Sequence, residues 1–280
     1  MKKIKYFLLA INLLSLDVVL GACAGMYFFS DLLDVKSPFL TYVLLGLAVW
    51  GIYTIDHLLD AKFTGRTAIS KRHRFHQQYF KTIIIIWLLL VLFGLCLLMF
   101  FSQIQFIVLP GSILALMMIF WMGLIRWIGE RASWLKEIST AVFYVAGIVL
   151  VPVLLAPNEL IDYFFYLFFG AYLVLACINL LILSFLDREG DRIDGYGSVL
   201  VIISKRQLSN LVWILGIFLS GFLIILLFWI PSFYKIHCSL LLIMVLFHLL
   251  QFSSSHQNNK DAVRQKLEAT FILPLILLLF

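Results

Sequence analysis

Along the 280 residues the apolar side chains follow neither a helical nor a strand period; they come in long, nearly unbroken runs. These occupy 6–30, 38–60, 82–101, 106–124, 138–156, 163–186, 207–230 and 238–253, with a short ninth run at 269–280. A helix needs about 20 apolar residues to cross the hydrocarbon core of a bilayer, so the first eight runs predict membrane-crossing helices and the ninth falls short of a full span by itself. Strands are excluded. An open sheet leaves its edges unpaired in lipid, and the runs lack the two-residue alternation of an outer-membrane barrel. The pattern therefore predicts an all-α fold, a polytopic transmembrane helical bundle of about nine helices, forming one membrane domain over 1–280.

Composition removes the other classes. Apolar residues make up 63% of the chain and charged ones 13%, with a mean hydropathy of +1.05, against roughly half and a quarter in a soluble domain. A soluble enzyme and a disordered chain are both ruled out. The net charge of +6 points to no nucleic-acid partner, because the basic residues sit at the ends of the apolar runs. With the N-terminus (Lys2, Lys3, Lys5) in the cytoplasm, 19 of the 21 Lys and Arg fall on that side, leaving only Lys36 and Lys235 outside. A bias of that size predicts a multi-pass protein of the cell membrane with its N-terminus and acidic loops cytoplasmic. Reporters fused after Lys81 and after Arg206 are both expected to report a cytoplasmic location; an external signal from either would overturn this orientation.

Cys23, Cys96, Cys177 and Cys238 lie in or beside apolar runs without metal-type spacing and are expected to be buried, unreactive thiols. Leu20-Gly21-Ala22-Cys23 resembles a lipoprotein cleavage site. Asp17 interrupts the apolar core before it, and the run continues to Phe29, so an uncleaved first span is the expectation.

Chemistry concentrates at two matched places. The second run ends in Asp56-His57-Leu58-Leu59-Asp60, and the sixth ends in Asp187-Arg188-Glu189-Gly190-Asp191-Arg192-Ile193-Asp194. Asp56 and Asp60 are four apart, and Asp187, Asp191 and Asp194 lie at i, i+4 and i+7, so each set shares one helix face. Acids are cheap at a wet helix end, but two such sets in corresponding halves of the chain, each followed by cations, suit Mg²⁺ bridging to a phosphate-bearing substrate. The acidic loops run over about 56–81 and 187–206. Lys71, Arg72 and Arg74 follow the first set and are suited to phosphate contacts, although the cytoplasmic basic bias explains them equally well. Asn179, two turns before Asp187, borders the same region of its helix, and Asp17 and His248 are further polar groups at membrane depth.

The segment Asp187-Arg188-Glu189-Gly190-Asp191-Arg192 resembles the second aspartate motif of the UbiA superfamily of intramembrane prenyltransferases. Asp56 and Asp60 resemble part of its first motif, and Trp134-Leu135-Lys136-Glu137 is similar to the basic approach to the fifth span. The first motif departs from the pattern. With Asp56 and Asp60 in its last two acidic positions, Ile52 and Tyr53 stand where Asn and Asp are usual; shifted by one turn, Thr64 replaces the last Asp. The resemblance implies Mg²⁺-dependent transfer of an isoprenyl group from its diphosphate to a lipophilic acceptor. Asp56, Asp60, Asp187 and Asp191 would hold the metal, and Lys71, Arg72, Arg74, Lys136, Asn179, Arg192 and Asp194 would line the substrate site. The alternative is a transporter or an isoprenoid or lipid binder on the same scaffold, for which acids nearer the midplane would be expected.

Overall fold

The computed structural model describes residues 11–63, 71–132, 134–194, 199–255 and 259–279, with the side chains of 60–63, 71–73, 130–131 and 189–194 outside the description. Every regular element in these residues is helical. Seven helical stretches are long and apolar enough to cross a membrane. In chain order the helices are α1 (Leu16–Leu32), α2 (Phe39–Phe63), α3 (Lys71–Gln78), α4 (Phe80–Phe100), α5 (Val108–Ile128) and α6 (Leu135–Leu155). They continue as α7 (Tyr163–Asp194), α8 (Lys205–Trp229), α9 (Ser232–Ser254) and α10 (Lys260–Thr270). A 3₁₀ run over Leu273–Leu279 follows; at about 2 Å per residue it is far shorter than the bilayer core.

Local sequence sets several of the boundaries. Ser204 and Gln207 form a reciprocal capping box at the start of α8: the Ser204 hydroxyl accepts from the Gln207 amide, and the Gln207 side chain accepts from the Ser204 N–H. This S-x-x-Q pattern satisfies two of the amides that a helix start leaves open. Pro231, lacking an N–H, separates α8 from α9. The 32 residues of α7 measure about 48 Å at 1.5 Å each, so its final turns, from about Asp187 onward, project beyond a 30 Å core.

Packing divides the bundle into a dense part and a loose part. In the dense part α1 lies against α2, α6 and α10 and the 3₁₀ run, while α7, α8 and α9 pack on one another. Phe28, Phe29, Phe168 and Tyr172 are fully buried there, with edge-on or tilted ring contacts at 5.2–6.3 Å. Small residues let α1 approach its neighbours this closely. A Cβ on Gly21 would lie 2.9 Å from Cβ of Phe271, and one on Gly25 would lie 2.7 Å from the Tyr172 hydroxyl. The Gly21-x-x-x-Gly25 spacing, which overlaps the lipoprotein-like segment, is thus a helix-packing surface.

The loose part is the α4–α5 hairpin. Of the 21 residues of α4 only Ile83 and Leu97 are buried, and α5 buries none. Both are apolar all round, as expected of helices that meet lipid. Between this hairpin and the rest of the bundle lies a cavity of about 1080 Å³.

Candidate functional site

The cavity runs the length of α2, α4, α5 and α6. At one end its wall is Thr41, Leu98, Ile107 and Leu150; at the other it is Asp56, Arg126, Lys136, Glu137, Asp187 and Arg264. Between them the lining is almost wholly apolar or small, including Leu45, Ala48, Gly94, Ala115, Phe143 and Gly147. It is slightly larger than the roughly 300–1,000 Å³ usual for small-molecule sites. A second cavity of about 170 Å³, bordered by Asn179 and Glu268, shares Thr140, Tyr144, Ser184, Asp187 and Arg264 with the first.

The start of α6 organises the acidic end. Successive helical residues point about 100° apart, so Lys136 and Glu137 reach different neighbours. The Lys136 ammonium lies 3.5 Å from Oδ2 of Asp56 on α2, and Arg126, in the last turn of α5, lies 3.3 Å from Oδ1. Glu137 is buried, and its Oε1 accepts from the Ser184 hydroxyl of α7 at 2.7 Å and from the Val199 amide at 2.9 Å. A carboxylate in the first helical turn is also favoured by the helix dipole. Its other oxygen, Oε2, is buried and has no partner among the described residues. Asp187 is paired with Arg264 of α10. Five helices therefore contribute charged groups to one mouth, and the described cations and carboxylates there balance in number.

Asp56, Asp187 and Lys136 all line the main cavity, while Asn179 borders the side cavity, its Oδ1 buried without a described partner. Arg74 is exposed on α3 and is not part of either wall. Asp60, Lys71, Arg72, Asp191, Arg192 and Asp194 lie outside the described side chains. Asp17 is buried and accepts from the Asn12 amide at 2.7 Å; the same nitrogen lies 2.5 Å from Oε2 of Glu268. These groups tie α1 to α10 behind the side cavity. His248 bonds through Nδ1 to the Met244 carbonyl one turn back on its own helix at 2.7 Å and meets Phe271 edge-on, an arrangement of packing rather than of a site. The four cysteines are all free.

Three contributors were not singled out by the sequence. Arg126 and Arg264 carry the same sequence signal as every other basic residue at a run end. Glu137 was visible only as part of the approach to the fifth span, although an acid at the very start of an apolar run is itself a signal. Trp121 is one of several aromatics, with Phe29 and Tyr144, that the sequence offers for lining an apolar tunnel or for facing lipid; the structure puts it on the cavity wall with its Nε1 buried and without a described partner.

Among the described residues no three metal-ligating side chains come together. Asp56 and Asp187 alone would not cage an ion. They do suit Mg²⁺ held jointly with a phosphate-bearing ligand, because that ion commonly takes one or two carboxylates and completes its shell with water and substrate oxygens.

Comparison with known protein families, with curated proteins and with solved structures found no match to this chain.

Proposed function

We propose that the protein is an intramembrane prenyltransferase, moving an isoprenyl group from its diphosphate to a lipophilic acceptor. The observation that carries this reading is the shape and polarity of the main cavity: a membrane-length apolar channel that ends at Asp56, Asp187 and three cations. A long hydrocarbon chain fits the channel, and its charged head fits the mouth. The UbiA-like second motif adds the expectation that the head is a diphosphate.

Arg126, Lys136 and Arg264 are already held in place by Asp56 and Asp187, so they are pre-positioned for phosphate oxygens. Because the described charges at the mouth are balanced, a diphosphate arriving there requires added positive charge. Asp56 and Asp187 would hold Mg²⁺, which supplies charge to stabilise the departing diphosphate. Apolar walls exclude water from the allylic centre, so that the acceptor rather than water captures it.

Lys136→Ala is expected to raise the KM for the isoprenyl diphosphate about tenfold or more, the usual worth of one charge-assisted hydrogen bond. Arg74→Ala, away from the cavity wall, is expected to raise it less. Initial rates against donor concentration decide this, and an unchanged KM in Lys136→Ala would place the head group elsewhere.

One observation favours the second reading, an isoprenoid or lipid binder without chemistry: both described aspartates are satisfied by cations. The deciding experiment incubates the purified protein with labelled isoprenyl diphosphates of several lengths, Mg²⁺ and a membrane extract. Transfer predicts a labelled lipid product that disappears on chelation. Tight donor binding with no product from any extract would favour the binder.

A further inference from the structure

We propose that the Glu137 carboxylate receives the hydrogen bond, and during transfer the proton, of a second ligand that carries an O–H or N–H group. The proton-transfer part rests on the prenyltransferase reading; the binding part does not. Glu137 is 8% exposed, stands on the wall of the main cavity, and is fixed by two hydrogen bonds to one oxygen only. Its second oxygen has lost water and gained nothing among the described residues, a state that a folded protein keeps only at a cost. Lys136, next to it on α6, pairs with Asp56. A carboxylate oxygen accepts hydrogen bonds only, so the group that completes the proposed Glu137 carboxylate is a donor.

The position also fits the chemistry. Glu137 bonds to Ser184, which lies one turn before Asp187, and all three line the main cavity, so a ligand held at Glu137 is next to the place where the diphosphate head would sit. The wall additionally offers the unpartnered Nε1 donor of Trp121, five residues before Arg126 on α5, about 7.5 Å deeper along the helix. An acceptor with one polar donor group and an acceptor atom satisfies both. During transfer the allylic C–O bond breaks with its electron pair leaving on the diphosphate. A lone pair on the ligand's oxygen or nitrogen forms the new bond to carbon, and the proton released from that atom passes to Glu137. A hydrocarbon or a fully alkylated ether has no O–H or N–H proton to place on Glu137 and is excluded as the ligand of this site.

Glu137→Gln is the informative change, since the Gln carbonyl keeps both anchoring hydrogen bonds while the amide cannot take a proton. The probes are a 4-alkylphenol and its methyl ether, with geranylgeranyl diphosphate as donor. The unaltered protein is expected to bind the phenol at least tenfold more tightly than the ether. In Glu137→Gln that preference is expected to vanish, donor affinity to stay within twofold, and turnover with the phenol to fall about 100-fold, the scale of a general base. Formate is expected to restore part of the turnover of Glu137→Ala. Absence of the phenol preference in the unaltered protein, or its survival in Glu137→Gln, overturns the assignment even if transfer is observed. Parallel loss of donor binding in Glu137→Gln overturns it in favour of a structural role. A phenol preference that depends on Glu137, with no product from the unaltered protein, supports the binding site and contradicts the transferase reading alone.

Discussion

Asp187→Asn is expected to lower kcat for prenyl transfer about 10³-fold, the upper range for losing one preorganised electrostatic group, while leaving the KM for the donor unchanged or lower. The two effects have separate causes. Losing the carboxylate would remove a ligand for the Mg²⁺ proposed to stabilise the leaving group. It also frees Arg264, which is now held by Asp187, to bind the diphosphate directly. Folding should be little affected, because the Asp187 side chain is 38% exposed and an amide still accepts a hydrogen bond; exposed ion pairs contribute only about 0–1 kcal/mol. Detergent-solution melting curves and donor titrations, alongside turnover, separate these expectations. Full activity in Asp187→Asn would remove the acidic mouth from the mechanism.

The second large effect concerns the channel rather than its mouth. Gly147 lies ten residues beyond Glu137 on α6, which places it about 15 Å deeper, and a Cβ there would meet only Leu45, at 4.0 Å. Gly147→Phe should therefore fold, yet its ring would occupy the channel partway down. Forcing a long chain past it costs about 1–3 kcal/mol by the usual scale of overpacking, so kcat/KM for geranylgeranyl diphosphate is expected to fall by about 10² while dimethylallyl diphosphate is little affected. Competition assays with mixed donors measure this directly. Equal losses for both donors would mean that the chain does not lie along α6.

The contrast between what the sequence foretold and what it concealed follows from the physics of each signal. Long apolar runs announce spanning helices because lipid offers no other backbone solution, and charged residues at the ends of those runs announce Asp56 and Asp187. That both residues reach a single cavity follows from the packing of α6 closely against α7 and more sparsely against α2, which no local pattern encodes. The cavity itself was invisible. Leu90 and Ala115 on its wall have the same chemistry as Leu92 and Leu116, which are exposed on the same helices, and inside a membrane hydrophobicity does not distinguish a channel from lipid. Arg264 was hidden for another reason. It sits on the short helix α10, about 77 residues after Asp187, and its partner is set by how α10 folds back on α7. Conversely, the lipoprotein-like Gly-Ala-Cys segment acquired a reason only once Phe271, Tyr172 and Ile148 were seen against Gly21 and Gly25.

We expect an isoprenoid chain to lie in the cavity among α2, α4, α5 and α6 with its diphosphate between Asp56 and Asp187. The most direct measurement is photolabelling with a geranylgeranyl diphosphate that carries a photoreactive group at the far end of its chain, followed by mass-spectrometric mapping of the labelled residues. Adducts are expected on cavity residues such as Leu45, Ala115 and Leu150, suppressed by unlabelled geranylgeranyl diphosphate. Adducts confined to the outward faces of α8, around Ile214, Phe218 and Ile225, and unaffected by that competitor would contradict it.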